Sequence, residues 1–218
     1  MQTDHSAAGG TTAPETKNTL IIACGALAHE ITALQRQGSW THIAVQCLPA
    51  ELHNRPDKIP GAVQAKITAA RERFDHIFVA YADCGTGGQL DAVLRREGVE
   101  RLPGDHCYGF FAGNEAFNAI SDAELGTFYL TDFLARHFDR LIWQGMGLAD
   151  HAELLPMMFG NYTRLLYLAQ KPTDDLKRRA EAAAEQLGLR YEFLETGYGE
   201  LETGLQSIAE RPITWRNL

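Results

Sequence analysis

The sequence predicts an α/β fold: a single doubly wound domain, its mostly parallel sheet covered by helices on both faces. Three observations predict it. Apolar runs of strand length recur, each followed by a segment with helical spacing, and glycines punctuate the joins. A chain of 218 residues also lies within the size of one domain.

The elements follow in order. Met1 to Asn18 is rich in Ser, Thr, Gly, Ala and Pro and has almost nothing to bury. It is expected to be a disordered tail, leaving 19–218 as the domain. Thr19 to Ala23 reads as a strand buried on both faces, ending at Cys24-Gly25, and Ala26 to Gln37 as a helix closed by Gly38. His42 to Cys47 is a second strand, and Ile59 to Phe74 a helix with Pro60 in its first turn. His76 to Tyr81 is a third strand, running into Ala82-Asp83-Cys84-Gly85-Thr86-Gly87-Gly88. Gln89 to Glu97 reads as a helix and Val99 to Leu102 as a short strand. Tyr108 to Ser121 is expected to hold a helix starting near Gly113. Thr127 to Thr131, Arg140 to Gln144, Arg164 to Leu168 and Arg190 to Leu194 are strand candidates. Thr173 caps a helix that stops at Gly188, and Glu200 to Glu210 is the last helix.

A formal charge of −8 argues against nucleic acid as a partner, because phosphate binding needs a positive field. No apolar run approaches the roughly 18 residues of a membrane span, and the N-terminus lacks the apolar stretch of a secretory signal. The expected location is therefore the cytoplasm, where the four cysteines are thiols.

Ligands of open parallel sheets gather beyond the carboxyl ends of the strands. Cys24 closes the first strand, Cys84 follows the third, and Cys107 follows the short fourth, so three thiols are expected at one sheet edge. Cys24 and Cys84 each precede a glycine, which lets backbone approach a ligand. Three thiolates with an imidazole, His106 beside Cys107 or His53 in the loop before Asn54-Arg55-Pro56, suit tetrahedral zinc. An iron–sulfur cluster is the alternative cofactor. Gly85, Thr86, Gly87 and Gly88 run into a helix start and read as a cofactor or small-anion loop, without a GxGxxG fingerprint or a Walker lysine. Cys47 is expected to be a packing residue, and His29 and Glu30 a solvated helix face. Asp150-His151 reads as a metal or acid/base pair or, equally well, Asp150 as a helix N-cap, and Met157-Met158-Phe159 with Tyr162 as core or pocket wall.

The chain resembles the family known as domain of unknown function 1638. The resemblance is carried by Ile21-Ile22-Ala23-Cys24-Gly25, Leu52-His53-Asn54-Arg55-Pro56, Tyr81 to Gly88, Asp105-His106-Cys107 with Phe110-Phe111-Ala112-Gly113, and Gly126 to Thr131. It implies cysteines at Cys24, Cys84 and Cys107 and a histidine at His53. Near Cys107 the family order is His-Asp-Cys where this chain reads Asp105-His106-Cys107, which leaves open whether His106 replaces the displaced histidine. The resemblance further implies association with corrinoid-dependent methyltransferase systems of one-carbon metabolism. The partners it suggests are a corrinoid protein or methyltransferase, besides a small-molecule ligand.

Two classes of function follow. One is a metal-dependent enzyme or accessory protein of methyl transfer, with zinc on the thiolates. The other is a binding module for a small anion or corrinoid on the glycine loop, without catalysis at the cysteines; an iron–sulfur redox protein is a third reading. A homo-oligomer fits any of them, and the sequence marks no interface.

Overall fold

A computed structural model describes residues 19–211. The tail expected before Thr19, and the last seven positions of the expected domain, lie outside the described residues. Among the described residues, no helix is long and apolar enough to cross a membrane.

All the strand pairs are parallel, and they form two sheets. The first contains β1 (Thr19–Cys24), β2 (Ile43–Leu48), β3 (His76–Ala80) and β4 (Glu100–Arg101), in the order β2-β1-β3-β4. The second contains β5 (Thr127–Leu130), β6 (Arg164–Ala169) and β7 (Arg190–Glu195), in chain order. The helices are α1 (Ala28–Gln37), α2 (Ile59–Ala70), α3 (Gln89–Glu97), α4 (Cys107–Ala112), α5 (Asn114–Ala123), α6 (Asp132–Phe138), α7 (Leu155–Phe159), α8 (Asp174–Leu187) and α9 (Gly199–Ala209). The doubly wound α/β architecture is therefore present, divided between two sheets.

Alternation along the strands sends side chains to both faces of each sheet. In the first, Ile21, Ala23, Phe78 and Ala80 meet Ile31 and Leu34 of α1, Phe110 of α4, and Leu201 and Leu205 of α9. Leu20, Ile22 and Val79 point the other way, onto Ile59, Val63 and Ile67 of α2 and Leu90 and Leu94 of α3. In the second, Leu165, Tyr167 and Ala169 pack on α6 and α8, while Leu166 and Leu168 pack on Phe117 of α5. Helix α9 follows the last strand of the second sheet yet packs on the first, so the chain ties its two halves together.

The segment Arg140 to Gln144, expected as a strand, is a π-helical turn spanning Asp139–Gln144. Its Leu141 and Ile142 follow Phe138 of α6 at i+3 and i+4, and all three are buried, which is helical periodicity carried on from the preceding helix. The helix expected to start near Gly113 is α5, beginning at Asn114; a further short helix, α4, precedes it, and Gly113 at φ +83° turns the chain between the two. Cys47, expected in the core, is exposed on the edge strand β2.

Candidate functional site

The order β2-β1-β3-β4 reverses direction between β1 and β3, which opens a crevice at their carboxyl ends. Cys24 is the last residue of β1, and Cys84 follows β3 on the loop that leads to α3. Cys107 is the first residue of α4, after the loop that leaves β4. The second and third of these loops are bonded to each other: the amides of Asp83 and Cys84 donate to the carbonyls of Gly104 (3.1 Å) and Asp105 (2.8 Å). Arg101 braces the latter loop. Its guanidinium forms a two-pronged ion pair with Asp91 at 2.6 and 3.0 Å, and donates to the carbonyls of Leu102 (2.7 Å) and Gly104 (3.0 Å).

Cys84 sits at φ +51°, in the left-handed region that disfavours a side chain. Its thiol accepts a hydrogen bond from that of Cys107, which holds it below the usual cysteine range despite burial. Cys107 is correspondingly raised, first by that same bond and then by burial. When the pair loses a proton, Cys84 is the one that ionises and Cys107 keeps its own. Burial pushes Cys24 up to about 11, with nearby Cys84 adding to the rise. The Tyr81 hydroxyl is buried, has no oxygen or nitrogen partner among the described residues, and faces the Cys24 thiol.

His53 and His106 neighbour each other. Desolvation lowers the His53 imidazole, and His106 lowers it further. The His106 ring packs at 6.4 Å from Tyr108 and 6.1 Å from Phe117. The three thiols thus perturb one another, and the two imidazoles form a second group. Among the described residues, no three His, Cys, Asp or Glu side chains are already set to hold an ion. The donor set nevertheless fits a soft-ligand metal in its chemistry: three thiols in mutual electrostatic contact, one of them already inclined to ionise.

Two glycine readings change in the folded protein. Gly25 admits protein rather than ligand: a Cβ there would stand 2.8 Å from the Leu48 carbonyl oxygen and 3.1 Å from the Ala50 nitrogen. The Gly85-Thr86-Gly87-Gly88 loop has left-handed backbone at all three glycines, and its amides are partly occupied. The Asp83 carboxylate accepts from the amides of Gly87 (3.0 Å) and Gly88 (2.9 Å) and from the Thr86 hydroxyl (2.5 Å). An incoming anion would meet a carboxylate already in that place. Sequence reasoning assigns no role to Asp83 or Tyr81. The signal for Asp83 was an aspartate four and five residues before two glycines, the spacing of a side chain that closes its own turn.

His151 bonds to Glu153 at 3.1 Å in solvent. Phe159 is core, whereas Met157 is exposed.

A crevice at a strand-order reversal, edged by three interacting thiols, defines a parallel α/β protein with a thiol-lined sheet edge. The chain belongs to the family described as protein of unknown function (DUF1638), whose profile matches residues 47–205. No curated protein sequence matches the chain.

Proposed function

We propose that the chain is a metal protein in which the thiolates of Cys24, Cys84 and Cys107 hold a zinc ion, with a histidine or a substrate as fourth donor. The observation that supports this reading is the mutual perturbation of three thiols, at the end of β1, on the loop after β3 and at the start of α4. Thiolates crowded in a partly buried site repel one another, and a divalent cation converts that repulsion into attraction. When bound, the ion would supply Lewis acidity, lowering the pKa of a coordinated water or substrate thiol.

The chain's own residues have separable tasks in this reading. Cys84 gives up its proton first, with the Cys107 thiol as the hydrogen-bond donor that makes this cheap. Tyr81 walls the Cys24 side, and the Asp83 clasp fixes the loop that carries Cys84. Activation of a thiol suits acceptance of a methyl group, so a transferase or accessory role in corrinoid-linked one-carbon chemistry in the cytoplasm is the fitting class. Zinc is preferred to an iron–sulfur cluster because Cys47 is exposed on the edge strand and pairs in register with Ala23, not with Cys24.

The test is elemental analysis with optical spectroscopy on protein purified without oxygen, wild type beside Cys84→Ser. About one equivalent of zinc in the wild type, with most of it lost in the variant, is expected. Less than roughly a tenth of an equivalent of any transition metal in both would overturn the reading. A brown, iron-containing wild type would replace zinc by the cluster.

A further inference from the structure

We propose that a second site, in the cleft between the two halves of the molecule, binds a small zwitterion of the α-amino-acid type. The cleft holds about 380 Å³ and is lined by His29 and Glu30 of α1, Asp132 and Arg136 of α6, Lys171 and Tyr198, among others. Its size falls in the range of small-ligand pockets.

Two orphaned atoms point to a ligand. Glu30 is only 4% exposed, and its Oε2 is buried without a hydrogen-bond partner among the described residues. Arg136 has a buried Nη1, also without a partner. Both residues line the same cleft, yet they make no ion pair with each other. Buried polar atoms are almost always satisfied, and an exception calls for a missing companion. One molecule carrying an N–H donor at one end and an acceptor at the other answers both.

Charge selects the class. Glu30, Asp132 and Asp175 face the space with one sign, and Arg136 and Lys171 with the other. A simple anion would meet Arg136 and Lys171 but leave Glu30 unpaired and repelled. A simple cation reverses the fault. A carboxylate against Arg136 with an ammonium against Glu30 leaves neither atom orphaned. Asp132 is unavailable for this work, since its carboxylate already accepts from the Tyr167 hydroxyl (2.7 Å) and the amides of Gln170 (3.0 Å) and Lys171 (2.8 Å). It builds the floor. The cleft lies beyond the carboxyl ends of β5 and β6, where parallel sheets bind ligands.

The test uses the purified full-length protein with the proteinogenic α-amino acids singly at about 10 mM, enough for a millimolar site. Acetate, lactate, ethylamine and inorganic phosphate are the comparison probes. At least one amino acid should raise the thermal midpoint by about 3–6 °C, and the probes lacking either charge should not. Glu30→Gln and Arg136→Gln should each weaken binding about tenfold or more by calorimetry, with unchanged circular dichroism. No response to any amino acid overturns the proposal, as does an equal response to lactate or phosphate, or unaltered binding in both variants. Cys84→Ser should bind the amino acid as the wild type does, which separates this site from the proposed metal centre.

Discussion

The Cys107 thiol donates to that of Cys84, and Cys84 holds its side chain on left-handed backbone at φ +51°. Cysteine gains nothing from that conformation, so the loop is held there by its surroundings: the Gly104 and Asp105 carbonyls on one side and the Asp83 clasp on the other. Backbone strain of this kind concentrates at functional sites.

In metal-free protein Cys84 should therefore be the first thiol alkylated by iodoacetamide as pH rises. The donor stabilises the thiolate, so its removal raises the Cys84 pKa. Cys107→Ala should slow Cys84 labelling near neutrality by roughly tenfold, the worth of one hydrogen bond to a charged group. Peptide mass spectrometry across pH reads this directly. Labelling of Cys24 or Cys107 ahead of Cys84 would contradict the assignment.

The same backbone gives a stability prediction. At position 84 a left-handed φ costs an L-residue about 1 kcal/mol and costs glycine little. Cys84→Gly should melt about 2–4 °C above Cys84→Ala, although both lack the thiol. At position 25 the order inverts. Gly25→Ala drives a Cβ into backbone atoms of the Leu48–Ala50 segment and should lower stability by more than about 1 kcal/mol. Both comparisons need only thermal denaturation.

Much of this was legible in the sequence. The β1, β2 and β3 strands with their helices follow from period and punctuation, and the carboxyl-edge rule put Cys24, Cys84 and Cys107 on one sheet. Two things were not legible. Three apolar residues, Leu141 to Trp143, are too few to separate strand from helix, so Arg140 to Gln144 reads as a strand and folds as a helical turn. The meaning of a glycine depends on what approaches it: Gly25 reads as ligand-facing, while the folded chain uses it for close contact with the Leu48–Ala50 backbone. Glu30 was open to a better reading, since Leu27, Glu30, Ile31 and Leu34 share one face at i, i+3, i+4 and i+7, which places a carboxylate among core residues.

Asp132 is expected to matter more to stability than any other polar residue around the cleft. It is 3% exposed, and it answers a hydroxyl and two amides at once; its own amide donates to the Gln170 side chain at 2.9 Å. Asp132→Ala would leave those donors buried and unmatched, a loss of about 3–5 kcal/mol. Tyr167→Phe removes one partner only and should cost about 1–2 kcal/mol. Urea denaturation of the two variants checks the ranking. A near-neutral Asp132→Ala would mean that water replaces the carboxylate there.

Glu30 contributes in the opposite sense. Burial pushes its carboxyl above the ordinary range, Asp132 adds to the rise, and Arg136 opposes it without cancelling it. The acid thus binds its proton more tightly folded than unfolded. That difference stabilises the fold fully below the unfolded pKa, and the contribution is lost as pH climbs through the raised folded value. His29, Arg136, Lys171 and Tyr198 also face the group, and none of them pairs with Oε2. With the cleft empty, Glu30→Gln keeps the shape without the charge, so it should melt a few degrees above wild type at neutral pH. The gap should narrow as the pH falls toward the unfolded carboxylate range. A saturating zwitterion should close it from the other side, stabilising wild type more than the variant. Melting curves at several pH values, with and without ligand, read both limbs, and a pH-independent gap would place the cause in packing rather than in the buried charge.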